Sequence, residues 1–344
     1  IGMHLGISRV EVSAPFTHFG EKQGLEGSAL EIIRHNQYLY AATSMGIFYL
    51  DESVGGISRP GYFKKVSDVS PQAWALLPFD DVLLGGCFDG VYEIIGGKGR
   101  LINATYAMSL ARSKKDPNRV FVGLQKGMKS LYFTNGKWVD EGLVEGIETE
   151  IINIYETPEG KLWLTARFNG MELVDYSNGF STQPQVMRYD TSQGLIDLER
   201  TIPFNSVRGL RFATSKGVQI FNEVQQRFQQ DSALLTGMPG ERTDIFYVGE
   251  DRWRNLWMVT QGELGVGVRQ VDSTYIWKRD PFLRIEEWDD YCAYPDPLQR
   301  NITWIGCIDR VIRYNEAIPL KTDQDFPTLI RDVFIQGDSL VYGG

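Results

Sequence analysis

Cysteine, histidine, basic tracts and helical periodicity are all scarce in this sequence, and each scarcity removes a class of answer. Three cysteines stand among 344 residues: Cys87, Cys292 and Cys307. So sparse and odd a count builds no disulfide framework. Cys87 and Cys307 read as small strand residues, and a bridge between Cys292 and Cys307 is left open. The three histidines, His4, His18 and His35, are scattered, and with the cysteines they give no metal-ligand spacing. No metal and no cofactor is expected. No apolar run approaches the ~18 residues of a membrane span, so no membrane insertion by this stretch is expected. Acidic residues outnumber basic ones, 44 to 35, for a net charge of −9. The basic ones form no tract, which argues against nucleic acid as a partner. No stretch sustains an amphipathic helix; residues 195–200 are expected to make at most one short turn. The chain opens at Ile1 without a methionine start or a signal-like segment, and this reads as a fragment.

What is present is a repeat. Hydrophobic residues make up 42% and aromatics 12%, enough for a large core. One phrase recurs: a short apolar run, a small residue, a polar turn often containing Gly, then a second apolar run. It begins at Leu39, Leu83, Val120, Leu162, Leu210, Leu256 and Thr303, at a spacing of about 44 residues. An apolar strand precedes each phrase, as at residues 31–34, 73–77, 151–155 and 245–248. Polar turns such as His35-Asn36-Gln37 and Thr157-Pro158-Glu159-Gly160-Lys161 separate the two. A third and a looser fourth strand follow. The expected fold is therefore all-β, a seven-bladed β-propeller of four-stranded antiparallel blades. Residues 16–323 would form the ring, with Phe16–Phe19 closing it as the outer strand of the seventh blade. Residues 1–15 would end a preceding blade or linker, and 324–344 would start a following β-sandwich. The alternative is an eighth blade from residues 1–11 and 328–344.

Blade packing explains the large residues. Trp163, Trp257 and Trp304 are expected to fill gaps between blades, and Ala42, Gly86, Gly123, Thr165 and Gly306 to sit where sheets approach closely.

At the repeated phrases the sequence resembles the two-component regulator propeller family. Its unit, Asp/Glu-x-x-Gly-x-Leu-Trp-Ile/Leu-Gly/Thr-Thr, is similar to the stretch from Glu156 to Thr165 and to that from Glu250 to Thr260. Leu39 to Gly46 and Leu210 to Gly217 carry degenerate copies. The steps Gly24-Leu25 and Gly194-Leu195 match the one before a blade's first strand. Residues 327–344 resemble the segment entering the triple-tyrosine β-sandwich that follows such propellers. The resemblance implies the extracytoplasmic sensor part of a bacterial histidine kinase receptor, periplasmic and often responsive to carbohydrate, with the output parts lying elsewhere.

Catalytic constellations are missing. Gly-x-Ser-x-Gly is absent. Gly96-Gly97-Lys98-Gly99 lacks P-loop spacing and reads as a hairpin turn. Glu286-Glu287 and Asp289-Asp290 are strand neighbours that would point to opposite faces, not a glycosidase pair. Glu159-Gly160-Lys161-Leu162-Trp163 lacks the Ser and Asp of the sialidase-type box. His18 and His35 are expected at a surface or turn. No enzyme is expected, with a propeller hydrolase or lyase as one rival reading. Ligand contact is expected at loops joining second to third strands, through Asp89, Gln125, Lys126, Arg167, Asn169, Lys216, Glu263, Asp309 and Arg310. Aromatic faces and planar polar groups there suit a polar ligand such as an oligosaccharide. The other rival is a scaffold that binds only protein. Partners would be other domains of the same receptor, with a homodimer left open.

Overall fold

The repeats fold into seven antiparallel sheets arranged as a ring, a seven-bladed β-propeller. The computed structural model describes residues 2–3, 6–7, 14–54, 61–180, 183–236, 244–261, 263–283, 290–319, 332–335 and 339–343. Numbered from the first complete repeat, blades 1 to 7 have as innermost strands Ala29–His35, Ala73–Phe79, Ser109–Arg112, Ile151–Glu156, Ile202–Ser206, Ile245–Glu250 and Asp290–Pro295. Every repeated phrase supplies a second strand, from Tyr38–Thr43 in blade 1 to Ile302–Cys307 in blade 7. These strands are buried almost throughout because neighbouring blades cover both faces.

The expected closure is made. Phe16–Phe19 pairs antiparallel with Val311–Asn315 and completes blade 7 from the other end of the ring. The ring closes at seven, so the eight-bladed alternative is not adopted. One blade departs from four strands. In blade 6, Leu235–Thr236 adds a parallel pairing to the outer strand Tyr275–Lys278.

The core is distributed, with one apolar cluster at each of the seven blade interfaces. Trp163, Trp257 and Trp304 lie in three of them, at 4%, 2% and 0% exposure, so they are packing residues as expected. Close approach needs small residues. A Cβ at Gly123 would collide with Ser109 Oγ and with the main-chain oxygen of Ile151 in the next blade. Gly306 meets Ala29 O and Cys292 Sγ in the same way. All three cysteines are buried thiols, so the pairing left open between Cys292 and Cys307 is not made.

Five innermost strands share one irregularity: a register shift near the start, at Ala29/Glu31, Ala73/Ala75, Ile151/Asn153, Ile245/Tyr247 and Asp290/Cys292. Each is a bulge that leaves one residue unpaired. The steps Gly24-Leu25 and Gly194-Leu195 also share a structure. Tight 3₁₀ turns, Glu21–Gln23 and Thr191–Gln193, end at glycines with φ of 80° and 83°. These drive Leu25 and Leu195 into the core. The turn expected at residues 195–200 thus lies slightly earlier, where Asp190 caps it through Ser192 N. Gly96 and Gly97 join two strands of blade 2 with positive φ, as a hairpin turn requires.

The ring forms one unit, Phe16–Glu316; residues 1–15 and 317–344 form a second. The second contains two hairpins, Gly2–Met3 with Gly6–Ile7 and Asp332–Ile335 with Ser339–Gly343. The boundary expected at residue 323 lies outside the described residues, as do Glu286, Glu287, Asp289 and His4.

Candidate functional site

Antiparallel order places connections on two faces. Second-to-third loops and the links between blades share one face; first-to-second and third-to-fourth turns share the other.

The first face carries the residues anticipated from sequence. Phe88 and Arg167 each contact residues that sequence reasoning missed. Trp74 lies 4.9 Å from Tyr106 and 6.4 Å from Phe88, and Phe88 lies 5.7 Å from Tyr106, ring centre to ring centre. Arg167 Nη1 is 3.7 Å from Glu150 Oε2, and its guanidinium sits 5.2 Å from the Phe168 ring. Burial raises the Tyr106 phenol, with Glu150 adding to the shift and Arg167 opposing it. An aromatic cluster from blade 2 and its exit link therefore lies within electrostatic reach of a pair made by Arg167 of blade 4 and Glu150 of the link that precedes that blade. Phe88 is 55% and Phe168 62% exposed, so ring surface is available. Trp74 is the bulge residue of its strand, while Tyr106 and Glu150 lie on interblade links. All three lie outside the second-to-third loops in which ligand contact is expected from sequence. The bulge position, also aromatic at Phe246, was the available signal.

Other anticipated residues are spread around this face. Asp89 accepts a hydrogen bond from Tyr92 Oη at 3.0 Å; burial, then Asp89, pushes that phenol up to about 12. Gln125 and Lys126 are exposed on the blade 3 loop, and Lys216 on that of blade 5. Neither lysine makes an ion pair among the described residues. Asn169 Nδ2 donates to Arg167 O, shaping that loop. Asp309 and Arg310 pair at 3.5 Å. They flank His18, whose pKa is lowered by burial and then by Arg310. Glu263 is not a loop residue. It opens the third strand of blade 6 and is paired with Arg279. His35 is buried at 8% exposure, not at the surface, with Asn36 Nδ2 3.0 Å from its Nε2.

Among the described residues, hollows open on the opposite face. One, of about 560 Å³, lies between blades 6 and 7 and is lined by Trp253, Arg300 and Glu316 among others. Another, of about 840 Å³, lies between blades 4 and 5 over Trp163 and Phe221. A polar clasp also closes the ring here. Arg34 of blade 1 reaches Asp296 of blade 7 through Nη2 at 2.6 Å and Nε at 2.9 Å, and Trp304 Nε1 donates to the same carboxylate at 2.9 Å. Burial opposes ionisation of Asp296, but the bonds from Arg34 and Trp304 outweigh it and hold its pKa below the usual range. No helix among the described residues is long and apolar enough to cross a membrane. Among them, no group of three or more His, Cys, Asp or Glu is placed to hold a metal ion.

Solved structures share this architecture at low identity. The extracellular domain of a putative hybrid two component system from B. thetaiotaomicron superposes with a TM-score of 0.68 at 12% identity, covering 96% of this chain and 46% of its own. A second such domain from the same organism gives 0.65 at 14% identity, covering 90% and 42%. A virginiamycin B lyase from Staphylococcus aureus gives 0.58 at 9%, covering 87% and 98%. The likeness is one of fold. The chain spans less than half the length of those two extracellular domains. No family model matches the sequence, and no curated protein matches it.

Proposed function

We propose that this chain is the ligand-recognition propeller of an extracytoplasmic sensor, in a bacterial two-component receptor of the regulator-propeller family. The observation that carries the reading is the Trp74–Phe88–Tyr106 cluster, exposed at Phe88 and half-buried at the other two rings, with the Arg167–Glu150 pair within electrostatic reach of Tyr106. Flat apolar faces next to a fixed donor and acceptor are what a sugar needs: its ring faces stack and its hydroxyls bond to the charged groups. Repeat motifs like those of the family and a shared fold with extracellular domains of two-component systems support the sensor role. The ligand is an oligosaccharide, and the domain turns nothing over. Binding would act by favouring one arrangement of the ring against its neighbouring domains or a partner protomer, which requires different affinity for the two arrangements.

The test is a thermal-shift screen of neutral and acidic oligosaccharides, repeated on Phe88→Ala and Arg167→Ala. A stabilising glycan whose shift disappears in both variants supports the reading. A screen in which no glycan binds, or in which one is cleaved, overturns it.

One observation favours a second reading, a protein-docking scaffold. Met45, Phe88, Phe168 and Ile308 occupy second-to-third loops of four blades and are all at least 44% exposed. Such apolar tips on one face suit a protein partner. Binding to the remaining receptor domains with a silent glycan screen would favour it.

A further inference from the structure

The cleft between blades 4 and 5 has a cause in the turns that flank it. Val207-Arg208 alone joins the first two strands of blade 5, whereas Thr157-Pro158-Glu159-Gly160 joins those of blade 4. The taller turn stands beside the shorter one, and the space between them is about 840 Å³. It runs over the edge of blade 4 from Tyr155 on the innermost strand to Met187 on the outermost. That volume lies in the range of small-molecule sites.

One feature of its floor separates this cleft from the corresponding places in blades 6 and 7. There, the tryptophan of the second strand gives its N–H to an acid in its own turn. Trp257 Nε1 donates to Asp251 at 3.4 Å, and Trp304 Nε1 to Asp296 at 2.9 Å. Blade 4 has Thr157 where blade 6 has Asp251, six residues before the tryptophan in both cases. Thr157 Oγ1 is engaged by Lys161 N. Trp163 Nε1 consequently finds no acceptor among the described residues, although Trp163 is 4% exposed and lines the cleft. The Trp163 N–H is not sealed from solvent as that of Trp277 is, so it is open to a ligand oxygen entering the cleft.

The rest of the lining sets the ligand's chemistry. Tyr155, Leu210, Ile220 and Phe221 present a half-exposed apolar surface. Lys114 and Lys161 are balanced by Glu159 and Glu223, so the cleft carries no net charge. We infer that this cleft is a binding site for a small neutral molecule with a flat apolar body and a carbonyl or hydroxyl oxygen, the oxygen accepting from Trp163. The site lies on the face opposite the aromatic cluster, and the inference does not depend on the sensor reading.

Acetanilide is a suitable probe, being neutral, flat and equipped with one amide oxygen; toluene lacks the oxygen and benzoate carries a charge. Hydrogen exchange of the tryptophan indoles in the unmodified protein comes first. Trp163 should exchange faster than Trp257 and Trp304, and equal protection of all three overturns the inference. Acetanilide should then shift the Trp163 indole resonance and bind more tightly than toluene or benzoate. Trp163→Phe keeps the packing and should weaken binding roughly two- to tenfold, the net worth of one hydrogen bond. Thr157→Asp restores the internal acceptor and should slow Trp163 exchange while weakening the probe. Asn205→Trp fills the cleft and should abolish binding. No acetanilide binding to the unmodified protein, or undiminished binding in Asn205→Trp, overturns the inference.

Discussion

Individual residues near the channel and the blade interfaces depart from their ordinary chemistry for reasons of place. Glu31 lies on the innermost strand of blade 1, with Oε2 accepting Leu76 N of blade 2 at 2.6 Å. Burial pushes its carboxyl up to about 7, with that single amide only partly opposing the shift. A carboxyl raised in the folded state binds its proton more tightly there than in the unfolded chain. Its contribution to stability is therefore full below the unfolded value near 4.5 and falls as pH rises through about 7. Glu31→Gln keeps an acceptor for Leu76 N and removes the ionisation. The variant should gain thermal stability relative to wild type at pH 8 and show little gain at pH 4, measured by melts across that range. An equal difference at both pH values would show that Glu31 ionises freely. None of this was legible in the sequence, where Glu31 is one acid among 44. The pairing of Glu263 with Arg279 and the burial of His35 were hidden for the same reason. A side chain's partners come from strands distant in the chain.

At the scale of strands and turns, far more could be read in advance. Second strands buried on both faces are continuous apolar runs, and turns announce themselves through Gly, Pro, Asn and Asp. That is why the phrases beginning at Leu39, Leu162 and Thr303 map onto second strands, and why Gly96-Gly97 maps onto a hairpin. Bulges were not foreseen, because an extra residue alters pairing without altering composition. Yet the bulge at Trp74 supplies one ring of the candidate site. Glycine at the blade interfaces is a steric requirement at this scale. Gly123→Ala should destabilise the protein by about 1–3 kcal/mol, the usual cost of overpacking, because its Cβ meets main chain of blade 4. Chemical denaturation tests this; a change below about 0.5 kcal/mol would mean that the sheets separate readily.

For the whole molecule the decisive event is closure. Blade 7 is assembled from Phe16–Phe19 and three strands nearly 300 residues later, so neither sheet edge is left open there. The Arg34–Asp296–Trp304 clasp crosses the same junction. Both charged side chains are almost wholly buried, at 4% and 0% exposure, so removing one partner strands the other. Asp296→Asn should cost about 3–5 kcal/mol. Asp296 is held below its ordinary pKa, so the clasp's contribution is present above about 3.8 and is lost as pH falls through the depressed folded value. Acid titration should therefore destabilise wild type relative to Asp296→Asn, narrowing their difference towards low pH; a constant difference would contradict the assignment. The sequence by itself determined the repeat, the strand class, the blade count and the strand that closes the ring. Each is written in local patterns of apolar, small and turn residues, which act over a few positions. Tertiary structure decided which aromatic rings gather around Phe88, which acid is raised by burial and which is held low by its partners. Those depend on distances between blades, and such distances are set only when the ring has closed.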